Sequence, residues 1–256
     1  TGTPLTYTDV TGQETTYRYD IDGRLTDIID NALTVNLTYD ALGRLATRTV
    51  TDTAMAGSLT LTLQYDDFSR EILRTIMDSD GTILTLEQTW LPNNLLARRL
   101  TRRDSMVLKD EQYDYDSRNR LTDYTVSGSE PPQDAYGHLL AGQQYRHDAL
   151  NNLTTVITLL TDGNQDTAVY HYDNLADPMQ LSRVTHTHDG YPPSIALEYD
   201  AEGRMTLDEE GRTLGYDGAG RLNSISGEDV PWGTYGYDAF DRLVRQTIGP
   251  DDSMEL

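Results

Sequence analysis

The residues of this chain with the means for chemistry are carboxylates and imidazoles set close to glycine. Asp20-Ile21-Asp22-Gly23, Asp78-Ser79-Asp80-Gly81 and Asp162-Gly163-Asn164-Gln165-Asp166 gather oxygen ligands of the kind calcium takes. None has the full calcium-loop spacing, since Gly81 comes three residues after Asp78. Asp and Gly also populate turns for backbone reasons, and turns are the expectation here. His186, His188 and Asp189 form the densest ligand-like cluster. On a strand the two imidazoles would point the same way and could share a metal. No third ligand has a clear spacing, so a surface strand running into an Asp189-Gly190 turn is expected. The 42 acidic residues guarantee accidental carboxylate pairs, so none singles out glycoside hydrolysis. No nucleophile elbow or phosphate loop stands out. No catalytic residue, metal site or cofactor is expected, and the chain does not read as an enzyme.

Asp20 and Asp22 belong to a recurring heptad, YDxxGRL. It is nearly intact at Tyr19-Asp20-Ile21-Asp22-Gly23-Arg24-Leu25 and again at Tyr39, Asp40, Gly43, Arg44, Leu45. Further copies are Tyr199, Asp200, Gly203, Arg204, Met205; Tyr216, Asp217, Gly220, Arg221, Leu222; and Tyr237, Asp238, Arg242, Leu243. Degraded copies start at Tyr65, Trp90, Tyr115, His147 and Tyr172, and the mean spacing over all ten copies is about 24 residues. Such an array is read as repeats before anything else. A group present ten times is more plausibly scaffold than catalyst.

Apolar residues alternate ahead of each heptad, as in Leu59, Leu61, Leu63, Tyr65 and in Val35, Leu37, Tyr39. Period two predicts strands whose apolar face pins the register. Gly23 can take the left-handed conformation that costs other residues energy. The spacing then predicts a three-residue hairpin loop, a type I turn with a bulge. That loop sets Tyr19 opposite Leu25 on one face and Asp20 opposite Arg24 on the other. Each repeat is expected to hold two strands of roughly eight residues, about 27 Å long. Asn93-Asn94 after Pro92 predicts a turn, and Ser127 to Pro132 and Tyr191-Pro192-Pro193 predict loops. The fold class expected is all-β: a large antiparallel meander of these hairpins that twists and curls, one array over residues 1–256 with no second domain.

Net charge is −22 and the sequence pI about 4.3. That excludes a nucleic-acid partner, which needs a basic face, and insertion into a membrane is not expected. There are no cysteines, so no disulfides or thiolate metal sites. Apolar content is 37% and 17 aromatic residues are Tyr, which suits a sheet with water near both faces. Tyr also stacks on sugars, but each motif Tyr shares a strand face with Leu or another Tyr, which favours packing. Both ends, Thr1 and Leu256, read as cut within a longer array.

These motifs resemble the YD-repeat, or Rhs-repeat, family, over nearly the whole chain from Tyr17 to Arg245. Members include bacterial Rhs toxins, the B and C components of insecticidal Tc toxin complexes, wall-associated bacterial proteins and teneurins. The acidic composition and residues 151–183 resemble the bacterial toxin-associated branch. The resemblance implies a spiral β-shell segment that helps to encapsulate a C-terminal toxin domain, in a secreted or cell-surface delivered protein. Its implied partners are the rest of the same shell and the toxin cargo. Exposed sheet edges add edge-to-edge self-association. A family autoprotease signature is lacking, because Asp177-Pro178 is followed by Met179 rather than Gly; self-cleavage is therefore not implied. The alternative reading is a cell-surface or glycan-binding repeat module.

Overall fold

The computed structural model describes residues 2–227, 232–249 and 252–255. Thr1 and Leu256, where the chain reads as cut, lie outside them. The described residues form strands and turns with no helix. The chain divides into two compact units, Thr1–Gln143 and Gln144–Leu256.

In the first unit the strands run from Thr6–Thr8 to Leu121–Ser127, and each pairs antiparallel with the next in chain order. The strand Leu140–His147 runs through the division. In the second unit Leu153–Leu160, Gln165–His171, Arg183–Thr185 and Ser194–Ala196 follow in the same order. A seven-stranded sheet then extends from Glu198–Tyr199 to Asp252–Glu255. Tight hairpins join most neighbouring strands and leave no chain for a crossover, while longer loops follow Leu121–Ser127, Gln165–His171 and Arg183–Thr185. Strands reach ten residues in the first unit but shrink to two at Glu198–Tyr199, where motifs come closer together in sequence.

The alternation does what period two requires. Tyr17, Ile28, Val35, Val50 and Leu59 make a continuous cross-strand row. On the other face Thr47, Thr62, Thr75 and Thr85 make a second row. Few side chains are fully buried. Leu100, Leu108, Val126 and Leu140 are buried in the first unit. In the second, Val156, Ala168 and Val184 form a small core with Tyr145, Tyr170 and Leu181 against it. A single sheet layer gives an apolar residue few places to hide, which is why so modest an apolar content suffices.

Every intact motif begins at a strand end and finishes at the next strand start. Tyr19, Tyr39, Tyr199, Tyr216 and Tyr237 close their strands, and Leu25, Leu45, Met205, Leu222 and Leu243 open the following ones. The pairing register slips by one residue just before each Tyr, which leaves Tyr19 opposite Leu25 and Tyr39 opposite Leu45. This is the bulge that accompanies a left-handed residue at the loop's third position. Gly23 sits at φ +80° and Gly203 also at +80°. Ser69, Asn94, Asn119, Asn151 and Asp241 hold the same conformation at φ 62–74° without being glycine.

Two expectations need correction. The strand Arg183–Thr185 ends before His186, so His186 and His188 do not sit on a strand; the turn expected at Asp189-Gly190 is present. The Tyr172 copy is not a hairpin motif. The strand after it begins only at Arg183, because Pro178 stands where the motif has Leu and cannot donate to a ladder.

Candidate functional site

The motif loop is built around its Asp. In the first copy the Asp20 N–H donates to the Arg24 carbonyl at 2.9 Å, and the Gly23 N–H donates to the Asp20 carbonyl at 3.0 Å. Asp20 Oδ1 accepts from the N–H groups of Asp22 and Arg24, at 3.0 and 2.9 Å. Its Oδ2 accepts from Arg24 Nε at 2.7 Å. The same set recurs at Asp40 and Arg44, Asp200 and Arg204, Asp217 and Arg221, and Asp238 and Arg242. Short Asx turns of this kind satisfy loop N–H groups that a hairpin leaves unpaired.

The electrostatics follow from those bonds. The Arg24 backbone N–H is the main cause holding the Asp20 carboxyl below its ordinary value, against a burial effect that raises it. At Asp116 the Arg120 backbone N–H, helped by the Arg120 guanidinium, brings the carboxyl down to about 2. At Asp40 burial pushes up most strongly, but the bonds from Arg44 and Leu42 together outweigh it and the net shift is downward. In each case hydrogen bonds to the ionised form win.

The guanidinium then reaches the next repeat. Arg24 lies over the Tyr39 ring at 4.9 Å, Arg44 over Tyr65 at 4.5 Å, Arg204 over Tyr216 at 4.9 Å and Arg221 over Tyr237 at 4.9 Å. These are cation–π distances. Arg44 Nη1 also donates to the Asp66 carbonyl and Ser69 Oγ, and Arg70 Nη1 to the Leu91 carbonyl and Asn94 Oδ1. The Tyr answers backwards. Tyr39 donates its hydroxyl to the Leu25 carbonyl at 2.7 Å, Tyr216 to Met205 at 2.8 Å and Tyr237 to Leu222 at 2.9 Å. Trp90 does the same with its indole N–H, at 2.8 Å from the Glu71 carbonyl. Tyr19 donates to the Pro4 carbonyl at 3.0 Å. The expected opposition of Asp to Arg and Tyr to Leu is present. Separation of the two pairs onto opposite faces is not, because the Arg head crosses to cover the neighbouring Tyr.

The acidic clusters weighed for calcium are engaged with their own loops. Asp78 Oδ1 accepts from the Asp80 and Thr82 N–H groups, and Asp162 from Asn164. Among the described residues no three metal-ligating side chains come together. His188 Nδ1 accepts from the Gly190 N–H at 3.0 Å. His186 instead meets Asp166, 1% exposed, at 2.7 Å from Nδ1. Asp166 also accepts from the Thr187 and His188 N–H groups, and Tyr191 stacks on His186 at 5.0 Å. Asp166 thus clips the 186–191 loop onto its strand.

Sequence reasoning missed three further groups. Asp208 and Arg212 form the same loop and a 2.6 Å ion pair, with Leu207 in the Tyr position. The DxxGR spacing alone was the available signal. Asp134 and His138 form another, where His replaces Arg at 3.2 Å. Glu111, 5% exposed, is held by Arg99, Tyr113 and Tyr124. Burial beside the Glu111 carboxylate pushes the Tyr113 hydroxyl up to about 12.

No protein-family model and no curated protein sequence matches the chain. Solved structures do. TcdB2-TccC3 without its hypervariable C-terminal region aligns with a TM-score of 0.61 at 17% identity, over 94% of this chain and 14% of that one. The TcdB2-TccC3-Cdc42 crystal structure gives 0.60 at 17% identity, over 92% of this chain and 13% of that one. A Photorhabdus luminescens Tc holotoxin pore with a TccC3 mutation gives 0.60 at 17%, over 94% and 13%. The chain spans about one seventh of the length of these structures, and at this identity the likeness is one of fold.

Proposed function

We propose that this chain, which has the fold of part of the TcdB2-TccC3 Tc toxin components, is a structural wall segment of an Rhs-type β-shell. In this reading it carries no catalysis of its own and helps to enclose a C-terminal toxin domain within a secreted bacterial protein. Its partners are the remaining wall and the enclosed polypeptide. The observation that carries the reading is the motif chain itself. Asp binds its own loop, Arg reaches forward to the next Tyr, and that Tyr reaches back. The motif's polar groups are spent on joining one repeat to another, as a wall requires and a catalytic centre does not. Nor do Tyr39, Tyr65, Tyr216 and Tyr237 favour glycan binding, since one ring face of each is covered by Arg and the hydroxyl is committed to a carbonyl.

Limited proteolysis of the full-length polypeptide containing these residues tests the proposal. Sequence C-terminal to the wall should resist cleavage in the wild type and become sensitive when Arg44→Glu and Arg70→Glu together open the repeat contacts. Equal cleavage in both proteins would overturn the enclosing role.

A further inference from the structure

The strands Leu96–Arg103 and Met106–Tyr115 concentrate positive charge in an otherwise acidic chain. Arg98, Arg99, Arg102, Arg103 and Lys109 fall within twelve residues, and Lys109 is the single lysine of the protein. Register places Lys109 opposite Thr101 and Glu111 opposite Arg99, while Leu86 and Leu84 face Thr101 and Arg103 from the other side. These residues therefore share one sheet face. They line a cavity of about 330 Å³, within the roughly 300–1,000 Å³ of small-molecule sites.

The chemistry of the lining is asymmetric. Leu84, Leu86 and the buried Leu108 supply an apolar floor. Glu111 is saturated: Arg99 Nε and Nη2 donate to it at 2.8 and 2.9 Å, Tyr124 at 3.0 Å and Tyr113 at 3.3 Å. Arg103 meets Glu130 through one nitrogen at 3.3 Å, with both side chains about half exposed. Among the described residues the Lys109 ammonium has no ion pair or side-chain hydrogen bond, and no buried polar atom is left without a partner, so that ammonium is open to solvent. The cavity thus offers an unclaimed cation beside leucines, while its buried carboxylate is already occupied.

We infer that this cavity binds an aliphatic carboxylate, its hydrocarbon on Leu84, Leu86 and Leu108 and its carboxylate on Lys109, with Arg103 as a second donor. A charge-assisted bond at the rim of an apolar floor is the pairing such a ligand needs. A cationic ligand meets Lys109 and Arg103, and of the two lining carboxylates Glu111 is saturated and Glu130 is paired with Arg103. The same chemistry comes from a free fatty acid or from a polypeptide C-terminus that ends in aliphatic residues.

The single lysine makes the test clean. Reductive methylation with ¹³C-formaldehyde places one lysine signal in the spectrum, distinct from the terminal amine. Sodium octanoate, octanol, octylamine, and the peptide Ala-Ala-Leu-Leu as acid and as amide are titrated in turn. A saturable shift of the Lys109 signal is expected with a carboxylate and absent with octanol, octylamine and the amide. Response to octanoate alone identifies a free acid, and response to the peptide acid alone identifies a chain terminus; a response to both supports the shared chemistry. By calorimetry on unlabelled protein, Lys109→Gln weakens binding about tenfold with an unchanged circular dichroism spectrum, and Leu86→Asn weakens it too. No saturable shift with either carboxylate, or wild-type affinity in Lys109→Gln, overturns the inference.

Discussion

Arg44 and Tyr65 belong to successive motifs, and the guanidinium of the first lies 4.5 Å from the ring centroid of the second. Tyr65 in turn donates its hydroxyl to the Leu45 carbonyl at 2.9 Å, beside Arg44 in sequence. The pair is a reciprocal clasp between neighbouring hairpins, and its chemistry sets what substitution should do.

Arg44→Ala should lower stability by about 1–2 kcal/mol, from a lost cation–π contact and lost bonds to Asp40, the Asp66 carbonyl and Ser69. Arg44→Lys should recover less than half of this, because a point ammonium cannot serve a carboxylate, a carbonyl and a hydroxyl across two loops. Urea unfolding of the three proteins measures both effects, and a Lys variant as stable as wild type would show the fork geometry to be unimportant.

Tyr39→Phe keeps the ring under Arg24 and removes only the bond to the Leu25 carbonyl. The expected loss is about 0.5–1.5 kcal/mol. Amide hydrogen exchange should quicken first around Leu25 and Tyr39, and uniform quickening along the chain would contradict a local role.

A Cβ at Gly203 would meet no atom within 4 Å, so the cost of substitution there is purely conformational. Gly203→Ala should cost about 1–2 kcal/mol. Gly203→Asn should cost less, as the natural Asn94, Asn119 and Asn151 at this loop position suggest. Thermal unfolding that ranks Ala above Asn would refute this account.

The acid limb of stability follows from the loop carboxylates. Asp116 lies at about 2 in the folded chain against an ordinary 3.8, and Asp20, Asp217 and Asp238 are also lowered. A depressed carboxyl contributes stability that is fully present above its unfolded value and is lost as pH falls through its folded one. The urea midpoint should therefore hold steady above about pH 5 and drop between about pH 4 and 2. In Asp116→Asn the starting midpoint is lower and the drop shallower; an unchanged slope would remove Asp116 from the explanation.

Asp166→Ala strands three donors, from His186, Thr187 and His188, around a site that is 1% exposed. A loss of about 2–4 kcal/mol is expected. Protease cleavage should appear within residues 186–191, and protection of that loop in the variant would argue against the clip.

Much of the loop was legible in the heptad, because spacing alone fixes where glycine must turn and which residues then face each other. Tyr19 opposite Leu25 needed nothing more. The reach of Arg24 to Tyr39 was not legible, since it depends on which hairpin lies alongside and on a side chain long enough to cross the ladder. The Asp208 loop hid because its Tyr is Leu207, although its Asp-to-Arg spacing is intact. The Asp166 partnership with His186 spans 20 residues between a strand and an irregular loop, and no periodic pattern links such positions. The Tyr172 copy misled in the opposite way: its Tyr still bonds the Leu153 carbonyl at 3.0 Å, while Pro178 prevents the hairpin.

The clasp has a direction. The guanidinium groups of Arg24, Arg44, Arg204 and Arg221 are covered by the Tyr of the following motif, and that of Arg70 by Trp90 and by Phe68 of its own loop. Arg44 and Arg70 keep only 23% and 19% of their side chains exposed. Arg242 has no later motif Tyr among the described residues, is 74% exposed, and turns onto Phe240 of its own loop. A repeat therefore presents a ready surface to whatever repeat follows, and the Arg–Tyr partners are only 12 to 21 residues apart. Folding built this way has low contact order however long the array becomes. Growth can proceed at the pace of synthesis, one hairpin at a time from the N-terminal side, with each finished repeat templating the next.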